Sequence, residues 1–369
     1  MFFLISVFYF FYFSIIGIYI IFMPKVLELL GYSGIEIGII FSSAPLVRFL
    51  VPLFFIKGFK LGNSSFYTAL IILSLSVVSF YYFIDDFYLL LLSNILFGIG
   101  LSLILPYIEL LTLNEIGKER YGKSRLFGSI GFMAVALVLV KFLQRPLIAL
   151  DYLSVLTFLT ILFSFLVVQK SHYTKQKTQI IQNDVTLLKD WKLWLAFALM
   201  QMSFGAFYNF FTIYETAHGI SLDMTVYLWS FGVLVEIVML YFQGKLLNKN
   251  LLSIIQITVL ATVVRWFLVF LYPDTLTILF FTQALHALSF ALFHSASISY
   301  LFHLYHNKPL AQQLFSGISY GLGALAGALL SGYIYEHYPT YLFLSSAIIA
   351  SVSLYFFISY QKSLHVNPS

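Results

Sequence analysis

The pattern that most constrains this chain is a set of six long apolar stretches, a polar gap, and six more apolar stretches. A membrane-spanning α-helix needs roughly 20 mostly apolar residues. Only 9% of the residues are charged, against about 25% in soluble proteins, so the surface must face lipid. The sequence therefore predicts an all-α membrane protein with twelve transmembrane helices. The stretches lie at 3–23, 34–56, 64–83, 88–111, 124–144, 149–168, 193–215, 223–242, 251–271, 275–302, 311–335 and 340–360.

The polar gap at 169–192 contains five lysines and divides the chain. It predicts a cytoplasmic linker between an N-terminal six-helix bundle, 1–168, and a C-terminal six-helix bundle, 193–369. Most other lysines and arginines fall at the ends of the stretches on the linker side, and cytoplasmic loops are enriched in these residues. Both termini are therefore expected in the cytoplasm. The apolar start has no basic region or cleavage site, so it is expected to remain as the first helix.

Composition also excludes several kinds of site. The chain has no cysteine, which rules out disulfides and thiolate metal sites. The net charge of +5 comes from basic residues scattered through short loops, a pattern that membrane topology explains better than a nucleic-acid surface does. We expect no metal, no cofactor and no nucleic-acid partner.

Two bundles of equal helix number indicate a duplicated architecture, in which each helix of the first half corresponds to one of the second. Helices 2 and 8 each carry one deep ionisable residue, Arg48 and Glu236. Helices 5 and 11 are both rich in glycine, which favours close helix packing over contact with substrate. These glycines are Gly128 and Gly131 on helix 5, and Gly317, Gly321, Gly323, Gly327 and Gly332 on helix 11.

Ionisable residues inside the membrane are the strongest functional signal, because each costs at least about 2.5 to 3.5 kcal/mol at mid-bilayer. Glu236 on helix 8 and Arg265 on helix 9 are predicted to lie close together. A carboxylate beside an arginine stays ionised, whereas one buried alone takes up a proton. Such a switch suits a proton-coupled carrier; a static buried ion pair is the alternative. The qualifying residues are Arg48, Glu109, Glu236, Arg265 and His286.

Helix 10 places polar side chains on one face. At 100° per residue, Gln283, His286, Phe290 and His294 fall within about 80° of one another. Histidine both donates and accepts hydrogen bonds near neutral pH, so the stripe suits substrate binding or a proton relay. An ordinary interhelical hydrogen bond is the alternative.

Two further groups are candidates for substrate contact. Glu109, near the end of helix 4, is expected to meet Arg125 at the start of helix 5, where a charge-assisted pair would bind a polar group or act as a gate. Arg125 is otherwise a positive-inside anchor. Tyr12 on helix 1 and Tyr208 on helix 7 belong to aromatic arcs that either line a cavity or face lipid.

Four segments resemble the major facilitator superfamily, specifically its 3-phenylpropionic acid transporter-like group, near the oligosaccharide and nucleoside proton symporters. They are YGKSRLFGSIGF at 121–132, YLWSFGVLVEIVML at 227–240, RW at 265–266, and QALHALSFALFHSASISYL at 283–301. The resemblance covers essentially the whole chain. It implies the major facilitator fold, with two bundles and alternating access powered by an ion gradient.

Similarity to lactose-permease-like symporters implies more specific roles. The pair Glu109 and Arg125 would hold substrate, and Glu236, Arg265 and His286 would couple protons to transport. Two departures matter: the segment KGFKLGN at 57–63 lacks the aspartate of the superfamily's gating motif, and helix 10 lacks the acid that accompanies the histidine in sugar symporters. Further expected substrate contacts are Arg48, Tyr12, Tyr208, Gln283 and His294.

The expected function is secondary transport of a small organic solute, an aromatic carboxylate such as phenylpropionate or else a nucleoside or sugar, by proton symport. The protein is expected as a multi-pass monomer in a cell membrane, the inner membrane in a bacterium, with protons and lipid as partners. The alternatives are an exporter of amphiphilic compounds and an intramembrane enzyme. No HExxH, GxSxG or paired-aspartate motif supports the enzyme.

Overall fold

The computed structural model describes residues 1–56, 62–142, 145–171 and 185–366. All regular structure in these residues is helical. The predicted gating segment at 57–63 and the predicted linker at 169–192 lie largely outside the described residues. The α-helices are α1 (Phe2–Ile21), α2 (Met23–Leu29), α3 (Gly34–Ile56), α4 (Asn63–Phe83), α5 (Phe87–Phe142), α6 (Ile148–Lys170), α7 (Trp191–Ser203), α8 (Gly205–Ala217), α9 (Leu222–Phe242), α10 (Gly244–Leu247), α11 (Leu251–Leu271), α12 (Leu276–Ala284), α13 (Phe293–Leu304), α14 (Lys308–Phe315), α15 (Ala324–His337) and α16 (Leu342–Val366).

The chain divides into two compact helical units, Met1–Gln179 and Ile180–Ser369. Within the described residues, eleven continuous helical segments are long and apolar enough to cross a membrane. The sequence predicted twelve. The difference lies at 193–215, where α7 and α8 are separated by Phe204, so that neither reaches the length of a continuous span.

The longest helix of the N-terminal unit, α5, consists of two spans. Gly117 interrupts it with φ 72° and ψ 170°, a backbone conformation that a residue with a Cβ rarely adopts. The two spans are Phe87–Gly117 and Arg120–Phe142. The first extends beyond the predicted stretch 88–111 to Gly117, so Glu109 lies eight residues before its end.

Close glycine contacts hold corresponding helices together in each unit, as the glycine pattern predicted. In the N-terminal unit, a Cβ at Gly131 would lie 2.8 Å from the carbonyl carbon of Phe10 on α1. In the C-terminal unit, a Cβ at Gly205 would lie 2.6 Å from the Cα of Gly327. Neither site has room for a methyl group, so both crossings depend on glycine.

Two segments of the C-terminal unit are π-helical. Ala287–Leu292 joins α12 to α13, and Ser316–Gly323 joins α14 to α15. A π-helix turns by fewer degrees per residue than an α-helix, and such segments often occur at functional sites. The polar stripe at 283–294 was predicted with a rotation of 100° per residue. That angle is therefore wrong for the residues after His286.

Candidate functional site

Arg265 is the centre of a polar cluster in the C-terminal unit. Its side chain is completely buried, and it donates hydrogen bonds to His286 Nδ1 at 2.9 Å, Gln283 Oε1 at 3.0 Å and Ser289 Oγ at 3.3 Å. We call Glu236, Arg265, Gln283, His286 and Ser289 the C-terminal charge cluster. The three acceptors are uncharged groups, and none of the hydrogen bonds that Arg265 forms with described residues goes to a carboxylate.

Aromatic rings supply the rest of the surroundings of this guanidinium. Arg265 Cζ lies 4.3 Å from the ring centroids of both Phe207 and Trp266, and 5.8 Å from that of Phe204. A desolvated cation over an aromatic face gains about 2 kcal/mol. The rings thus stabilise the charge that burial would otherwise disfavour.

The bond from Arg265 fixes the protonation state of His286. A guanidinium only donates, so Nδ1 of His286 must accept and the ring proton must be on Nε2. Nε2 lies 3.7 Å from Glu236 Oε2, an electrostatic contact that is longer than a hydrogen bond. The cluster is therefore ordered as arginine, neutral histidine and acid.

Glu236 and Arg265, which were predicted to lie close together, are connected by His286 in this structure. His286 lies between them, because it contacts Arg265 through one ring nitrogen and Glu236 through the other. The side chain of Glu236 is 16% exposed and that of His286 is 7% exposed. A change in the protonation of Glu236 would reach Arg265 through the imidazole.

The predicted polar stripe at 283–294 runs from α12 through the π-helical segment to α13, and its residues lie in two different environments. Gln283 and His286 contact Arg265, whereas His294 is exposed and its Nδ1 lies 2.9 Å from the Tyr320 hydroxyl. Phe290 connects the two parts: it stacks on His286 at 5.2 Å and meets the edge of Tyr320 at 6.4 Å. The π-helical turn after His286 accounts for the divergence.

Tyr208 belongs to the aromatic wall of the C-terminal charge cluster. Its ring stacks with Phe204 at 5.6 Å and with Trp229 at 6.4 Å. It also interacts electrostatically with Arg265. The predicted contact residue thus lies beside the cluster.

A second cluster lies in the N-terminal unit, and we call Glu109, Tyr121 and Arg125 the N-terminal charge cluster. Arg125 Nε is 3.3 Å from Glu109 Oε1, and Tyr121 donates to the same oxygen at 3.2 Å. The side chains of Arg125 and Glu109 are 34% and 29% exposed. The pair is therefore more exposed than the acid and histidine of the C-terminal charge cluster.

Arg125 also lies over aromatic rings. Its Cζ is 4.2 Å from the centroid of Phe13 and 5.3 Å from that of Tyr9. These rings orient the guanidinium through cation–π contacts. The arrangement combines a positive charge, an acid and an aromatic surface.

Arg48 and Tyr12 differ in their availability. Arg48 is exposed on α3 and forms no ion pair with any residue that the structure describes. Tyr12 is 3% exposed and donates to the Leu101 carbonyl oxygen at 3.1 Å, so its hydroxyl joins α1 to α5. Tyr12 does not present a surface to a solute in this conformation, although the charges of Arg48 and Arg125 act on it.

Sequence reasoning missed several members of both clusters. Ser289, Phe207 and Trp266 contact Arg265, and Tyr121 contacts Glu109. Of these four residues, only Trp266 could have been assigned to the Arg265 site from its position in the sequence, because it directly follows Arg265. Among the described residues, no group of three or more histidine, aspartate or glutamate side chains is placed to hold a metal ion.

Comparison with known proteins places this geometry in a family. A profile of the MFS_1-like family matches residues 2–345. The probable 3-phenylpropionic acid transporter of Escherichia coli (strain K12) is 25% identical, and the match covers 94% of this chain and 94% of that transporter.

Solved structures agree on the fold. The nucleoside transporter NupG superposes with a TM-score of 0.80 at 17% identity, covering 98% of this chain and 99% of NupG. The POT family transporter PepTSo superposes with a TM-score of 0.77 at 11% identity, covering 99% of this chain and 98% of PepTSo. At such low identity these likenesses show the major facilitator fold. The solute must be inferred from the residues of the candidate site.

Proposed function

The chain belongs to the MFS_1-like family of the major facilitator superfamily, and on this premise we propose that it carries a small aromatic carboxylate across the membrane by proton symport. Members of this family are secondary transporters and not enzymes, which removes the intramembrane enzyme from consideration. The proposal also includes twelve spans, with α7 and α8 forming one of them, and both termini in the cytoplasm of a bacterial inner-membrane protein.

The position of Arg48 is the observation that supports an anionic solute. It lies eight residues, about 12 Å, before the last residue of α3, and it is exposed without an ion pair in the described part of the chain. A guanidinium at that depth is costly in lipid and almost always faces a partner or a water-filled pathway. A carboxylate is the matching partner for its planar donors.

The aromatic part of the solute is supported by the surroundings of Arg125. Phe13 and Tyr9 lie against this guanidinium, and Glu109 holds it in place. An aromatic acid would meet a positive charge and ring faces together. The relative from Escherichia coli is described as a probable transporter of 3-phenylpropionic acid, an aromatic carboxylate.

Proton coupling is assigned to the C-terminal charge cluster. Glu236 is its carboxyl group, and His286 transmits the state of that group to the buried Arg265. Protonation of Glu236 would remove a negative charge 3.7 Å from His286 Nε2. The positive charge of Arg265 would then lose the favourable interaction with that nearby anion. The cluster therefore has two charge states, and the helices that carry it are stabilised differently in each.

Uptake by purified full-length protein in proteoliposomes tests the solute and its binding residue. Under an imposed pH gradient, labelled 3-phenylpropionate is compared with a nucleoside and a sugar. We expect uptake of 3-phenylpropionate, with a KM about tenfold or more higher in Arg48→Gln, because a charged hydrogen bond contributes about 1.5 to 3 kcal/mol. Arg145→Gln, at an exposed turn outside the spans, is the matched control.

Preference for the nucleoside or the sugar would contradict the carboxylate assignment. Equal uptake by wild type and Arg48→Gln would remove Arg48 from the binding site. If wild type transports none of the three solutes but extrudes an amphiphilic dye, the protein is an exporter instead.

A further inference from the structure

Glu215 is a buried acid that the proposed transport mechanism does not use. It lies two residues before the end of α8, and its side chain is completely buried. Neither carboxyl oxygen has a hydrogen-bond partner among the described residues. An ionised carboxylate cannot be held in an apolar interior without partners, because its desolvation is not compensated.

The neighbouring helices offer no cation to this carboxyl group. Helix α8 packs mainly against α15, and also against α9, α16 and α7. Within the described residues, none of the titratable groups near this end of α8 forms a hydrogen bond or ion pair with Glu215. These groups are Asp223 and Tyr227 on α9, and Tyr333, Tyr335, Glu336 and His337 on α15; the first half of α16 has none.

Residues of the same segment do not supply a partner either. Tyr214, the preceding residue, interacts electrostatically with Glu215 but is a phenol and supplies no positive charge. His218 is directed to the backbone, with its Nδ1 2.8 Å from the Tyr214 carbonyl oxygen. The nearest groups thus leave the acid in a neutral, apolar environment.

Glu215 is also remote from the acid of the C-terminal charge cluster. Helix α9 begins just after the turn that follows α8, and Glu236 lies 14 residues, about 21 Å, along it. The two acids therefore occupy different ends of the unit. A proton on one does not substitute for a proton on the other.

From this geometry we propose that Glu215 is a second proton-binding site, protonated whenever the end of α8 is packed as in this structure. Its ionisation requires that the end of α8 separate from α15 and admit water. The site therefore makes the packing of this end sensitive to pH. The inference goes beyond the proposed function and does not depend on transport, so it stands or fails separately.

Thermal unfolding of the purified full-length protein between pH 5 and pH 8 provides the first test. The folded protein retains a proton that the unfolded chain releases, so this site lowers stability as pH rises, by up to about tenfold in the unfolding equilibrium per pH unit. Glu215→Gln keeps the shape and removes the titration, and its unfolding midpoint is expected to fall less with pH than that of wild type. Glu336→Gln, an exposed acid on α15, is the matched control and should follow wild type.

Identical pH profiles for wild type and Glu215→Gln would overturn the proposal. Infrared spectroscopy provides a second test that does not need that variant to fold. At pH 8, we expect the C=O band of a protonated carboxyl in wild type and in Glu236→Gln. Absence of this band from Glu236→Gln would also overturn the proposal, because Glu215 is intact in that variant.

Discussion

The Arg265 guanidinium donates to His286 Nδ1 across 2.9 Å and thereby sets the tautomer of the ring. The remaining N–H is directed to the side on which Glu236 lies, 3.7 Å away. This order makes the histidine the connection between a buried cation and the acid that we assign to coupling. Two variants of His286 separate its packing role from its coupling role.

Replacing His286 by alanine is expected to destabilise the protein by about 1 to 3 kcal/mol, because Arg265 loses a buried acceptor. His286→Gln offers an amide oxygen to Arg265 and should recover much of that stability, but it lacks the ring that contacts both partners. We therefore expect gradient-driven uptake to be lost in both variants. Thermal unfolding and proteoliposome uptake measure the two effects, with the exposed His303→Gln, outside both charge clusters, as control. Full uptake by His286→Gln would contradict the connecting role.

Arg125→Lys tests the N-terminal charge cluster. A lysine ammonium keeps the charge but loses the planar group that lies over Phe13 and contacts Glu109. We expect a several-fold higher KM for the aromatic acid with little change in thermal stability, since the pair is one-third exposed. An unchanged KM would show that Arg125 is only an anchor at the membrane surface.

Gly327→Ala tests the close contact between the helices of the C-terminal unit. The new methyl group would lie 2.5 Å from the Met202 carbonyl oxygen, a backbone atom that cannot move alone. Overpacking of this kind costs about 1 to 3 kcal/mol. A lower unfolding midpoint is expected for Gly327→Ala and none for Gly244→Ala, where no atom lies within 4 Å of the added methyl. Equal unfolding midpoints for Gly327→Ala and wild type would mean that the two helices can move apart without loss of stability.

Tyr305→Phe tests a polar contact beyond the end of α13. The Tyr305 hydroxyl donates to Asp190 Oδ2 at 2.6 Å, and Tyr360 donates to Oδ1 of the same carboxylate at 3.3 Å. We expect a loss of about 1.5 to 3 kcal/mol, as for other hydrogen bonds to charged groups. The exposed Tyr338→Phe is the control.

The effect of Tyr305→Phe should not depend on pH in the neutral range. Burial raises the pKa of Tyr305, and the hydrogen bond to Asp190 raises it further. The phenol therefore keeps its proton from pH 5 to pH 9, below the ordinary tyrosine pKa of about 10, and its contribution to stability is constant there. A destabilisation that varied strongly across this range would assign the effect to another group.

The sequence predicted most of the fold because lipid imposes a simple rule on span length and polarity. Eleven of the predicted stretches are continuous candidate spans. The break at Phe204 lies between Ser203 and Gly205, but a single glycine inside an apolar stretch is usually tolerated within a continuous helix. What the sequence does not contain is the close approach of Gly205 to Gly327, a contact between distant parts of the chain.

The candidate sites were predictable in composition but not in geometry. Intramembrane charge identified Glu236 and Arg265, but hydropathy contains no information on which side chain lies between them. The π-helical turn after His286 changed the direction of His294, and no rule based on α-helical spacing anticipates it. Tyr12 shared an arc with other aromatic residues, yet its hydroxyl is satisfied by a backbone carbonyl within the unit.

Glu236→Gln tests proton coupling most directly. In proteoliposomes, accumulation of 3-phenylpropionate driven by a pH gradient is measured beside exchange of the same solute at equal pH on both sides. Glutamine resembles a permanently protonated Glu236, so we predict that exchange continues while accumulation is lost. Accumulation at the wild-type level in Glu236→Gln would contradict the assignment of this carboxyl group to coupling.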